Sequence, residues 1–64
     1  MGLAFKLEID CNHPSFGEDQ FTACDEVARI LEKVALELRT MRRAPTTLRD
    51  FSGNKVGSCN FTEG

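Results

Sequence analysis

The chain has 64 residues and a mass of 7.1 kDa, with 41% hydrophobic and 28% charged residues and a formal net charge of −2. That length allows one domain with a thin core, because so short a chain buries only about 60% of the surface its unfolded form exposes. The apolar content excludes a disordered chain, no apolar run approaches the roughly 18 residues of a membrane span, and residues 1–10 lack the basic start and apolar block of a signal peptide.

Leu3, Phe5, Leu7, Ile9 and Cys11 alternate with Ala4, Lys6, Glu8, Asp10 and Asn12. This period of two predicts a strand with one buried face and one wet face. Asn12-His13-Pro14-Ser15 ends it, because the residue before a proline avoids helical geometry. Phe21, Cys24, Ala28, Leu31, Ala35 and Leu38 then recur at intervals of three and four, flanked by Val27, Ile30, Val34 and Met41. The spacing predicts an amphipathic helix over 18–42, its apolar stripe widened by the flanking row. Ser15 and Glu18 fit an S-x-x-E capping box, and Pro45 marks the end. Asp25 with Arg29, and Lys33 with Glu37, are spaced for ion pairs. Residues 46–51 and 55–62 read as two strands around Ser52-Gly53-Asn54, with a bulge near the turn, and Gly57 permits a close approach. The order β-α-β-β predicts an α+β fold of two layers, one long helix on a three-stranded sheet. Two strand orders fit: a right-handed helix crossover between parallel neighbours, or an antiparallel sheet with the last strand in the middle, which is preferred because short antiparallel sheets tolerate one wet face.

Three cysteines and an acidic chain suggest reduced thiols and a cytoplasmic location. Cys11, His13, Cys24 and Cys59 have the ligand types of a Cys3His zinc site, but not the spacing of a zinc finger. All three cysteines fall on predicted core faces, where the thiol packs as a small hydrophobe, so no metal or cofactor is expected. His13 is the sole histidine, and Glu8 and Asp10 lie on an open sheet face where water is not excluded. An enzyme is therefore not expected.

Charge is the remaining signal. Residues 1–26 carry six acids and one base, whereas residues 27–64 carry four acids and seven bases. The predicted topology gathers Glu8, Asp10, Glu18, Asp19, Asp25 and Glu26 toward one end, as a partner-binding surface for a basic groove. Arg39, Arg42, Arg43 and Arg49 form a basic set that points to the alternative, an accessory or regulatory module that binds nucleic acid. A monomer or weak dimer is expected, the exposed sheet edge being the dimerising element.

Two stretches carry a resemblance. Phe5-Lys6-Leu7-Glu8-Ile9-Asp10 with Val27-Ala28-Arg29-Ile30-Leu31 is one, and Leu48-Arg49-Asp50-Phe51-Ser52-Gly53-Asn54-Lys55-Val56-Gly57 is the other. Together they resemble small phage- and prophage-encoded βαββ proteins with an LRD-x-NGN-x-VG hairpin, although Ser52-Gly53-Asn54 stands where that pattern has Asn-Gly-Asn. The resemblance implies a fold and assigns no active site. In size, single domain and acidic end the chain is also similar to anti-CRISPR proteins. That similarity implies an inhibitor that mimics DNA and occupies the DNA-binding groove of a CRISPR effector in the host cytoplasm.

Overall fold

A computed structural model of the chain describes residues 2–63. It is a two-layer α+β domain with one long helix on a three-stranded antiparallel sheet. Strand β1 (Leu3–Ile9) pairs with β3 (Lys55–Glu63), from Leu3 opposite Glu63 to Ile9 opposite Gly57. β3 pairs on its other side with β2 (Leu48–Arg49), giving the order β1-β3-β2. The last strand is in the middle, and both outer strands run against it.

Register explains the core. Phe5 faces Phe61 and Leu7 faces Cys59 across the ladder, so these odd residues share one side of the sheet. Cys59 on that side is buried with Phe16, Ile30, Val34, Leu48 and Val56. Lys6 and Glu8 project from the opposite, uncovered side, beside Asn60 and Ser58. Gly57 fits where it stands because a β-carbon there would run into the Glu8 carbonyl.

The helix α1 (Gln20–Met41) begins later than the capping box implied. Ser15 lies within a 3-10 turn (Pro14–Phe16) that ends at Gly17, whose φ of 76° is in the left-handed region. That reversal separates Ser15 from the helix, and Asp19 caps it instead by accepting from the Thr22 N–H at 2.8 Å. The second strand is also shorter than 46–51, because the Asp50 carboxylate takes the amides of Ser52 and Asn54 and starts the turn early. The irregularity expected near this turn is present as a register shift between Leu48 and Arg49.

The largest departure is the roll of the helix. The flanking row supplies the centre of the core: Ile30 is 3% exposed, Val34 is buried and Val27 packs against them, joined by Ala23 and by Leu38 of the first row, while Met41 is exposed. Of the rest of the first row, Phe21 is 75% exposed, and Cys24, Ala28, Leu31 and Ala35 are also outside. A three-stranded sheet covers only one arc of a helix, and here the apolar surface is wider than that arc. Through the middle of the helix the flanking row offers Val27, Ile30 and Val34, three branched side chains, where the first row offers Cys24, Ala28, Leu31 and Ala35, so per residue the flanking row removes more surface from water there. For the same reason Cys24 is not a core cysteine; Cys11 is outside because β1 ends at Ile9 and the chain turns there, so only Cys59 is buried.

Candidate functional site

The two long flanks of the helix differ in chemistry. On the β2 side, Glu26 is 7% exposed and lies inside the molecule. Its carboxylate accepts from Arg29 Nε at 2.9 Å, from Arg29 Nη2 at 2.7 Å and from the Phe51 N–H at 2.8 Å. Arg29 thus turns to Glu26 rather than to Asp25, and its Nη2 also reaches the Arg49 carbonyl. Next to this pair Asp50 is buried. It accepts from the Ser15 hydroxyl at 2.7 Å, from the Ser52 and Asn54 amides, and from Asn54 Nδ2 at 3.1 Å. Burial pushes the Asp50 carboxyl up, but the donors from Ser15, Asn54 and Ser52 outweigh it and bring the group down to about 2. The Arg29 hydrogen bond likewise holds Glu26 below its usual range against the cost of burial. The conspicuous LRD segment of the hairpin is therefore a structural clamp. It joins the 3-10 turn, the helix and the hairpin.

The remaining acids are outside. Glu8 is exposed on the uncovered face of the sheet, and Asp10 follows β1 with its carboxylate accepting from the Asn12 N–H. Glu18 and Asp19 are exposed at the start of α1, and Asp25 is exposed in its second turn. Cys11, Glu18, Asp19 and Gln20 line one shallow depression, so the end of β1 and the start of the helix meet. The Thr22 backbone and hydroxyl hold Asp19 below its ordinary value. Of the acidic set read from the sequence, Glu26 is withdrawn by its burial, Glu8 stands on the other face of the sheet, and four residues share the helix end. The basic set is divided too. Arg39, Arg42 and Arg43 close the helix, while Arg49 sits beside Arg29, about 20 Å back along the helix axis from Arg42.

Among the described residues, the β1 side of the helix has no comparable polar clamp. Leu3 is 65% exposed, and Phe5 and Phe61, whose rings are 5.0 Å apart, are also uncovered. Leu31 is exposed on the helix. Alternation along β1 and the helical spacing predict these residues in the core. For Leu31 a signal against the core was present: the row from Phe21 to Leu38 advances 17 residues in five steps, closer to the repeat of a narrow helix seam than to that of a broad core stripe.

Cys59 is the one buried thiol. Burial pushes its pKa up, and its Sγ donates to the Pro45 carbonyl at 2.8 Å. Among the described residues, no group of three or more His, Cys, Asp or Glu side chains is placed to hold a metal ion. Nor is any helix among them long and apolar enough to cross a membrane. No family model matches the chain, and neither a curated protein nor a solved structure matches it.

Proposed function

We propose that this chain is a phage- or prophage-derived binding protein that inhibits a host CRISPR effector by placing its acidic end in the effector's DNA-binding groove. The observation that supports this reading is the shared exposure of Asp10, Glu18, Asp19 and Asp25 where β1 ends and α1 begins. Their carboxylates accept only local hydrogen bonds, such as Asp10 from Asn12 and Asp19 from Thr22, so their charge faces outward. Ionised carboxylates on a small body steer it toward a positive groove and hinder DNA from entering.

The test measures target-DNA binding by a panel of purified CRISPR effector complexes, with the chain and with its D10K/E18K/D25K variant as competitors. Asp19 is left in place because it caps the helix. The wild-type chain should displace DNA from one effector, and the reversed variant should not, with an unchanged circular dichroism spectrum. Equal displacement by the variant, or no displacement from any effector by the wild type, contradicts the reading.

A further inference from the structure

β1 is an outer strand of seven residues without proline, and among the described residues nothing pairs with its free edge. The Asp10 N–H donates to the Val56 carbonyl on β3 at 2.7 Å. Backbone groups along an antiparallel strand alternate in direction, so the even residues serve β3 and the odd residues Leu3, Phe5, Leu7 and Ile9 turn theirs to the free edge. Native sheets usually blunt such an edge with a proline, a bulge or a cover.

The side chains beside this edge are apolar on the helix side. Glu26 and Arg29 bond to the β2 hairpin, and Lys33 and Glu37 line a depression with Pro45, Thr47 and Leu48. The helix therefore presents its opposite flank, with Cys24, Leu31 and Leu38, toward β1. Leu31 on the helix, Leu3 and Phe5 on β1 and Phe61 on the neighbouring strand, its ring 5.0 Å from that of Phe5, are all exposed.

We infer that a second copy of this chain occupies this edge, its β1 antiparallel to the first about a two-fold axis at Leu7. A two-fold normal to the sheet keeps both helices on the same face and makes the contact isologous. Hydrogen bonding then requires odd residues opposite odd ones, which leaves few registers. With Lys6 or Glu8 on the axis, like charges oppose each other. With Leu7 on the axis, Lys6 of each copy lies opposite Glu8 of the other on the open face. In the same register Leu7 meets Leu7 and Phe5 meets Ile9 under the helices. Only this register matches both the charges and the apolar side chains. The helices run antiparallel, so the half bearing Asp25 runs beside the second copy's end bearing Arg39 and Arg43. The opposed charges of the two chain halves thus become complementary in the dimer. The result is a six-stranded sheet with two helices on one face.

The test is a sedimentation equilibrium series on the full chain under reducing conditions, with K6E, E8K and the K6E/E8K double variant. Lys6 and Glu8 face uncharged Asn60 and Ser58 within the chain, so the exchange leaves the monomer's own pairs intact. The wild type should dimerise with rising concentration. Each single variant should raise the dimer Kd about tenfold, because two symmetry-related pairs turn repulsive, and the double variant should restore it. Circular dichroism checks that all four chains fold. A wild type that stays monomeric overturns the inference. So do single variants with unchanged Kd, or a double variant as weak as the singles.

Discussion

The two edges of this sheet are finished in different ways. At the β2 edge the chain closes on itself: Glu26 takes the Phe51 amide, Arg29 reaches the Arg49 carbonyl, and Asp50 gathers four donors. At the β1 edge the backbone is open, and Leu3, Phe5 and Phe61 are exposed, as is Leu31 on the helix. One edge spends its polar groups internally, and the other keeps its apolar ones uncovered. A domain of this size has little core to spare, so uncovered apolar side chains are more economically explained by a partner than by stability.

Substitutions on the two helix rows give the largest contrast. I30A should cost about 3 kcal/mol, since it opens a cavity in the buried cluster, whereas L31A should cost under about 1 kcal/mol in the monomer. Denaturant unfolding at low protein concentration checks this. Equal losses would mean that the helix sits in the other roll. A smaller effect is expected at the closed edge. E26A leaves the Phe51 amide without its acceptor and should cost about 2 kcal/mol. The same edge sets the acid limb. Asp50 and Glu26 titrate lower in the folded state than unfolded, so their stabilisation is complete above the ordinary carboxylate range. For Asp50 it is lost as pH falls from 3.8 toward about 2. Unfolding curves across that window should show the wild type weakening, and E26A should weaken less steeply.

The elements were legible because the signals that set them are local: the alternation of Leu3 to Ile9, the long three-and-four spacing and the Gly53 turn each announce one. Those signals do not decide strand order: a parallel crossover and an all-antiparallel sheet both fit β-α-β-β, and the pairing of β3 with both outer strands decides it. The roll of the helix was not legible. It depends on which of two apolar rows meets a sheet too narrow for both, and that is decided by side-chain bulk across the layer. Glu26 was misread as a surface acid because its acceptor role is fixed by Phe51, 25 residues away in sequence. Asp19 replaced Ser15 as the cap because Gly17 reverses the chain between them. The acidic end itself was legible as a cluster, since Asp10, Glu18 and Asp19 are held near each other by a short connection.

The most direct measurement of the difference between the edges is amide hydrogen exchange along β1 as a function of protein concentration. The Lys6 and Glu8 amides face β3 and should be protected at every concentration. The Phe5, Leu7 and Ile9 amides should exchange rapidly when dilute and become protected as the second copy binds. Odd-residue amides that remain fast at every concentration would contradict the account.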